Sequence, residues 1–187
     1  MKLLLAMATV LMLSSLGLAA HETSQLGPYT ASFDMNTNLK YQLQVFNPIN
    51  SPAFTAYGVL ISTDNATRAQ VSITEYKNPT DATPAMYKQL MTMDLALVGF
   101  NTTSINDMMI DGKNGFVLSA MPFPGVNAPT TNNLYRAIYW LDSKDCSQCG
   151  PVSVGTTSVD ITSTYPQDVT QGLLSSLHIT KGTAPAK

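Results

Sequence analysis

Runs of alternating apolar and polar residues cover most of the chain after residue 28. Tyr29, Ala31 and Phe33 alternate with hydroxyl and carboxylate side chains, which predicts a strand with one buried face. Similar runs bounded by turn residues predict further strands at 39–46, 57–63, 70–76, 105–110, 116–121, 134–141 and 152–163. Between two of these runs lies the segment 111–115, Asp-Gly-Lys-Asn-Gly. Its Asp-Gly and Asn-Gly pairs supply the positive φ angles that tight hairpins need, so we expect a hairpin there.

Two segments follow the period of a helix instead. Thr83 and Pro84 suit the cap and the first position of a helix, and Gly99 suits its end. Four apolar residues recur on one side of this predicted helix, and we expect them to face the core: Met86, Leu90, Met93 and Leu97. A second helix is predicted at 166–177, before a short strand at 178–180. Its expected buried face consists of Val169, Leu173, Leu174 and Leu177.

The predicted order is four strands, a helix, four strands and a terminal helix. Strands that are joined by hairpins and kept apart from the helices are typical of the α+β class. The sequence therefore predicts a mostly antiparallel β-sheet with two main helices packed on it. In the strand at 134–141 both faces carry bulky side chains, which indicates a central strand covered on both sides.

The order of these elements resembles that of a known family. The run 105–121 with its Asp-Gly turn, the strand at 134–141, and Tyr165-Pro166 leading into 169–179 together resemble the PsbP/Mog1-like α+β domains of exported proteins. The resemblance covers about residues 27–180. It implies a PsbP-like fold and a non-catalytic binding or assembly module outside the cytoplasm, and it assigns a role to no individual residue.

The first twenty residues have the features of an export signal. Lys2 precedes an apolar run at 3–18, and Ala19 and Ala20 are small residues of the kind that a signal peptidase recognises. An uncleaved membrane anchor is the alternative, although the run is shorter than the roughly 20 apolar residues that span a bilayer. We expect a signal peptide at 1–20, a single domain at 21–180 without a membrane span, and a flexible tail at 181–187. The expected location is secreted or extracytoplasmic, at the cell surface or in a periplasm-like space.

The chain is poor in charge, and its composition excludes several classes of protein. Charged residues make up 12% of the sequence, against roughly 25% in an ordinary soluble domain, and the net charge is −2. That charge excludes a basic nucleic-acid binder, and a hydrophobic content of 44% excludes a disordered chain. Two sequons, at Asn65 and Asn101, make the expected exported protein a possible glycoprotein.

Cys146 and Cys149 are the two cysteines of the chain. In an exported protein they most simply form a disulfide. A redox-active pair would favour a helix that begins at the first cysteine, and Gly150-Pro151 disfavours one. A metal site would need two further ligands. A redox or metal-binding protein that uses this pair stays open as an alternative.

Other candidate chemistry is sparse in the sequence. His21 lies at the predicted ragged start of the mature chain, and His178 stands between two apolar residues, so we interpret His178 as structural. The Met91/Met93 and Met108/Met109 pairs would point in different directions on a helix and a strand, which disfavours copper binding. The aspartates are scattered: Asp34, Asp107, Asp111, Asp142 and Asp145. We therefore predict no catalytic, cofactor-binding or metal-binding residue and no cofactor.

An apolar, proline-rich loop at 123–129 is the first candidate for a partner surface, with Phe123, Pro124 and Val126 as its contact residues.

Together, the export signal, the sequons and the sparse chemistry predict a secreted, non-enzymatic binding or assembly module at the cell surface. Its partner would be a protein or a component of the cell envelope. Two alternatives stay open, the redox or metal-binding protein described above and a surface-layer or filament subunit.

Overall fold

The computed structural model describes residues 20–64, 66–78, 82–125, 128–130, 132–142 and 154–182. Residues 1–19 of the predicted leader, the two cysteines and residues 183–187 of the tail lie outside these ranges. The described strands are β1 (Ala20–Leu26), β2 (Tyr29–Met35), β3 (Gln42–Val45), β4 (Ile49–Asn50), β5 (Phe54–Ser62), β6 (Arg68–Tyr76), β7 (Phe100–Ile110), β8 (Lys113–Pro122), β9 (Leu134–Trp140), β10 (Thr157–Ser163) and β11 (His178–Lys181). The described helices are α1 (Pro84–Leu97) and α2 (Gln167–Ser176).

The strands form two sheets. The larger sheet has the order β3-β5-β6-β10-β9-β8-β7, and β4 also pairs with β5. The smaller sheet has the order β1-β2-β11. All the pairings among the described strands are antiparallel, which confirms the predicted α+β class with mostly antiparallel sheets and two helices.

Strand β1 is an element that the sequence pattern did not predict. It pairs with β2 from Ala20 opposite Met35 to Leu26 opposite Tyr29. The expectation of a ragged end at His21 is therefore wrong, and the His21 ring nitrogen Nδ1 lies 2.8 Å from a carboxylate oxygen of β2. The signal in the sequence is weak because Leu26 is the one large apolar residue that β1 buries.

Two apolar cores lie on opposite faces of the larger sheet. The first fills the space between this sheet and the layer formed by the smaller sheet and α2, and it includes Phe33, Val71, Ile73, Tyr139, Ile161 and Leu173. The second lies between the sheet and α1, and it includes Met91, Leu95, Phe116, Leu118, Ile138 and Trp140. Strand β9 contributes to both cores, as predicted. The predicted buried face of α2 is also confirmed.

Helix α1 begins and ends where the sequence predicts, but a different face is buried. The Thr83 hydroxyl accepts a hydrogen bond from the backbone N–H of Met86 at 3.3 Å, and Gly99 follows the helix with φ of 90°. Met91 is 3% exposed, whereas Met93 is 54% exposed. The expectation that Met86, Leu90, Met93 and Leu97 face the core is wrong, since each is at least half exposed. Apolar residues surround most of this helix, so its periodicity alone does not select one face.

Candidate functional site

The larger sheet has a polar area on the face that α1 covers in part. Under α1 this face is apolar, but on β6 and β10 its outward side chains are hydroxyls, an amide and a carboxylate. Antiparallel pairing places Gln70 opposite Thr162 and Ser72 opposite Asp160. Because strand residues alternate between faces, Val71 and Ile161 of the same strands point into the first core. The alternation therefore gives these two strands one apolar and one polar face.

A groove runs between this polar area and the side of α1. Its volume is about 350 Å³, which lies in the range of small-molecule sites. The sheet supplies Gln70, Ser72, Thr74 and Thr162 as the floor, and α1 supplies Tyr87 and Asp94 as a wall. Tyr76, from the last position of β6, also lines the groove. We call this feature the α1 groove.

One arginine and two carboxylates lie at the centre of the α1 groove. Arg136 Nη1 donates to Asp94 Oδ2 at 3.3 Å, and its Nη2 lies 3.8 Å from Asp160 Oδ1. The Arg136 side chain is 27% exposed and that of Asp160 is 24% exposed, so both are largely withdrawn from water. Ser158 donates its hydroxyl to Asp160 Oδ2 at 3.1 Å. The guanidinium and both carboxylates therefore form one connected network, with Asp94 as its solvent-facing end.

Burial is the largest influence on the pKa values of Asp160 and of the neighbouring Tyr87. It raises the pKa of Asp160 above its ordinary value, and the nearby Arg136 and the Ser158 hydroxyl offset part of this rise. Burial, together with Tyr76 and the carboxylate of Asp160, raises the pKa of Tyr87 to about 12. The Tyr87 phenol therefore stays protonated at neutral pH and can donate a hydrogen bond.

The position of Tyr87 is fixed by the core beneath it. Its ring makes an edge-to-face contact with the Trp140 ring, with centroids 5.0 Å apart. Trp140 is fully buried and packs in turn against Phe116, with ring centroids 6.3 Å apart. The aromatic wall of the α1 groove is therefore continuous with the second core, and a ligand that moves Tyr87 would also perturb Trp140.

The side chains in and beside the α1 groove differ in what they can offer a ligand. Ser158, whose hydroxyl bonds to Asp160, is fully buried and cannot reach a ligand. Neither histidine lines the groove. Among the described residues there is also no cluster of three histidine, cysteine, aspartate or glutamate side chains that could hold a metal ion. What the groove offers is a set of donors and acceptors held at fixed positions.

A second cavity of about 480 Å³ lies between α2 and the strands β7, β8 and β9. Hydroxyl and amide side chains such as Ser119, Gln167 and Gln171 line it, together with Met108 and Leu174. Among the described residues that line it there is no Asp, Glu, Lys, Arg or His, whereas the α1 groove contains three charged side chains. The α1 groove is therefore the stronger candidate for specific recognition, because charged and oriented groups discriminate between ligands.

Of the sequence-predicted site residues, the structure describes Asn101, Phe123 and Pro124, and none of these three lines the α1 groove. Asn101 lies exposed on β7, at the edge of the larger sheet, and its backbone faces Met121 of β8. Phe123 is half-buried, and its backbone N–H donates to the Gly99 carbonyl at 2.8 Å, while Pro124 is exposed. The remaining predicted positions lie outside the described residues: Asn65, Val126, Cys146 and Cys149.

His178, Asp111 and Asp142 have structural partners, while Asp145 lies outside the described residues. The His178 ring nitrogen Nδ1 lies 2.6 Å from Asp111 Oδ1, at the start of β11. Asp142 accepts hydrogen bonds from the backbone N–H groups of Thr156 and Thr157, and it also bonds to the Thr156 hydroxyl. Burial opposes ionisation of Asp142, but these bonds outweigh it and lower the pKa of that carboxyl. These contacts join loops to strands, so they explain the residues without a ligand.

Sequence reasoning missed Arg136, Asp160 and Asp94 as a group. A signal was present, because Arg136 stands between Tyr135 and Ala137, and Asp160 stands between two β-branched residues. A charged residue inside an apolar strand indicates either an exposed face or a paired charge. The pairing itself depends on strand order, which the sequence did not provide.

Comparison with known proteins assigns no family. No protein-family model matches the chain, and no curated protein is similar to it. The fold and the groove define the class as an α+β protein with two antiparallel sheets and an open, polar groove beside one helix. Among the described helices none is long and apolar enough to cross a membrane.

Proposed function

We propose that this protein is a secreted, non-enzymatic binding module that holds a polar ligand in the α1 groove at the cell surface. The observation that carries the proposal is the position of Arg136 between Asp94 and Asp160, in a groove of about 350 Å³. Partly withdrawn charges cost solvation free energy, and a fold retains them more readily where they orient a ligand. The ligand belongs to a protein partner or to the cell envelope.

Export is part of the proposal and has its own support. The apolar run at 3–18 ends just before β1, which begins at Ala20. Cleavage after Ala19 or Ala20 would leave the pairing of β1 with β2 intact from His21 onward. The resemblance to PsbP-like domains also favours a binding or assembly role outside the cytoplasm. Intact mass of the protein from the culture medium tests the cleavage, because a retained Met1 would contradict it.

The binding function is tested with native cell envelopes. Labelled wild-type protein, at increasing concentrations, is incubated with envelope fragments of the cells that produce it, and bound protein is measured after sedimentation. Two groove variants, Asp160→Asn and Gln70→Ala, should bind at least tenfold more weakly. Gln70 is exposed, so its truncation leaves the fold undisturbed even where Asp160→Asn does not.

The matched control is Asp107→Asn, which removes the same charge on β7 and outside the groove. Asp107 pairs with Lys88 at 2.7 Å, and its side chain is about half exposed. This variant should bind like the wild type. Equal binding by wild type and both groove variants would contradict the proposal, as would the absence of saturable binding. Melting temperatures of all four proteins show that the variants are folded.

A subunit of a surface layer or filament is the second candidate function, and the free edge of the larger sheet favours it. Strand β7 ends the order of this sheet, has 11 residues, and pairs on one side with β8. Among the described strands nothing pairs with its other side, and such an edge is a template for strand addition. The native mass of protein extracted from cells tests this function. A monomer at all concentrations would contradict it.

A further inference from the structure

We propose that the ligand of the α1 groove is a neutral saccharide, which extends the binding function proposed above and depends on it. The inference comes from three properties of the groove: its charge balance, its hydrogen-bonding groups and its tyrosine rings. The charge balance disfavours ions, the hydrogen-bonding groups disfavour an apolar ligand, and the tyrosine rings suit the apolar face of a sugar.

The charge balance disfavours ions. Arg136 faces two carboxylates, so the three groups together carry an excess of negative charge. An anionic ligand would compete with Asp94 and Asp160 for the guanidinium and would be repelled by both. A cationic ligand would be attracted by the carboxylates, but it would have to share them with Arg136 and would be repelled by the guanidinium. A neutral ligand meets neither penalty, because it does not have to displace a partner of Arg136.

The hydrogen-bonding groups of the floor match a ligand rich in hydroxyls. Ser72, Thr74 and Thr162 each present a hydroxyl that can donate one hydrogen bond and accept others. The Gln70 amide supplies both kinds of group and is already oriented, since its nitrogen donates to the Ser72 hydroxyl at 2.7 Å. Adjacent hydroxyls of a sugar ring are likewise donors and acceptors. A planar carboxylate or guanidinium can engage two of them at once.

The spacing of the floor comes from the sheet. Ser72 and Thr74 lie on the same face of β6, about 7 Å apart along the strand, and Asp160 lies across from Ser72 on β10. Neighbouring strands are about 4.8 Å apart. This grid of polar groups has the dimensions of one or two sugar rings laid on the sheet. An apolar ligand would leave the whole grid desolvated and without partners, which is costly.

Tyr76 and Tyr87 supply the apolar part that a saccharide also needs. Both rings line the groove, and both also carry a hydroxyl. The C–H face of a sugar packs on an aromatic ring, while its rim makes hydrogen bonds. Because the Trp140 ring holds that of Tyr87 at a centroid distance of 5.0 Å, this surface is formed before a ligand arrives. A preformed surface lowers the entropy lost on binding.

Binding of defined neutral oligosaccharides is measured by the fluorescence of Trp140, the single tryptophan of the chain. The probes are oligosaccharides of glucose, galactose, mannose and N-acetylglucosamine, with a uronic-acid oligosaccharide as the anionic comparison. At least one neutral probe should bind saturably and with at least tenfold higher affinity than the anionic one. Gln70→Ala and Thr162→Val should weaken that binding at least tenfold, and Asp107→Asn should leave it unchanged.

The envelope assay separates failure of this inference from failure of the proposed function. Periodate cleaves the vicinal diols of sugars, so treated envelopes should lose the groove-dependent binding, while protease-treated envelopes should keep it. Groove-dependent binding that survives periodate and is lost after protease treatment would overturn the saccharide and leave the binding module standing. Binding that does not depend on the groove would overturn both. Stronger binding of the anionic probe would also overturn the saccharide inference.

Discussion

The carboxylate of Asp111 joins the β7–β8 turn to two other strands. Its Oδ1 lies 2.6 Å from His178 Nδ1, and its Oδ2 accepts from the Ile179 N–H at 3.0 Å and from the Tyr139 hydroxyl at 3.2 Å. The side chain is 8% exposed, and the residue has φ of 52°, a conformation that aspartate tolerates better than most residues. We predict that Asp111→Ala is among the most destabilising single substitutions in the turns of the protein.

The size of the effect follows from the partners that are left behind. The hydroxyl of the fully buried Tyr139 and the backbone N–H of the buried Ile179 both lose their acceptor. The His178 ring is 63% exposed, so water replaces its contact with little loss. A buried donor without a partner costs about 1–3 kcal/mol, so the two donors together cost about 2–6 kcal/mol. Alanine in the left-handed region adds about 1–2 kcal/mol, so the expected destabilisation is about 3–8 kcal/mol.

Two further variants separate the hydrogen bonds from the backbone conformation. Asp111→Gly removes the carboxylate but adopts a positive φ without strain, so it should be about 1 kcal/mol more stable than Asp111→Ala. Asp111→Asn keeps one acceptor, so its free energy of unfolding should lie between those of Asp111→Gly and the wild type. Urea unfolding followed by Trp140 fluorescence measures each free energy, and 1 kcal/mol corresponds to about 2–4 °C in melting temperature for a domain of this size.

Two results would contradict this role of the Asp111 carboxylate. Unfolding free energies of Asp111→Ala and wild type within about 0.5 kcal/mol would show that neither buried donor depends on the carboxylate. A double-mutant cycle with Tyr139→Phe gives the second test. Burial and the carboxylate of Asp111 both raise the pKa of Tyr139, so the phenol is a neutral donor at pH 7. Additive effects of the two substitutions would show that the bond between them contributes nothing.

Three further predictions concern stability. Burial opposes ionisation of Glu75, but hydrogen bonds from two tyrosines and a lysine outweigh it and hold the pKa of this carboxyl below its ordinary 4.5. The stability of the protein should therefore fall as the pH drops from 4.5 through the lowered pKa. Urea midpoints measured over this pH range should fall less steeply in Glu75→Gln than in the wild type. Gly115→Ala should lower the melting temperature by several degrees, because the added Cβ would lie 2.4 Å from the Ile138 carbonyl oxygen. In urea unfolding, Met91→Gln should lower the free energy of unfolding strongly and Met93→Gln hardly at all, because Met91 is buried and Met93 is exposed. The reverse order would mean that α1 buries its other face.

The fold was predictable where the chain alternates cleanly between apolar and polar residues. Strand β6 shows this, because Val71 and Ile73 enter the core while Gln70 and Ser72 remain on the polar face. Strand β1 was missed because one large apolar residue, Leu26, is too weak a pattern. Its stability comes from pairing with β2, a contact that no local pattern records. The division into two sheets was missed for the same reason.

The candidate site could not be predicted because it depends on pairing between distant strands. Arg136 and Asp160 come together through the register that places Ile138 opposite Asp160 and Arg136 opposite Thr162. These positions are diagonal neighbours across two strands, a separation that long side chains bridge. Each charge was visible in the sequence, but the identity of its partner depends on which strands are adjacent and in what register.

The orientation of α1 links the error about its buried face to the site itself. Successive residues on a helix are about 100° apart, so Tyr87 and Asp94 lie together on one flank of the face that carries Met91 and Leu95. In the observed orientation that flank borders the polar strands and brings Asp94 within 3.3 Å of Arg136. Burying the stripe that contains Met93 instead would carry the same flank to the opposite side of the helix, away from Arg136. Periodicity does not determine which face of α1 contacts the sheet, and that orientation places Tyr87 and Asp94 beside Arg136 and so forms the groove. The α1 groove and the binding function proposed for it therefore depend on which face of α1 is buried.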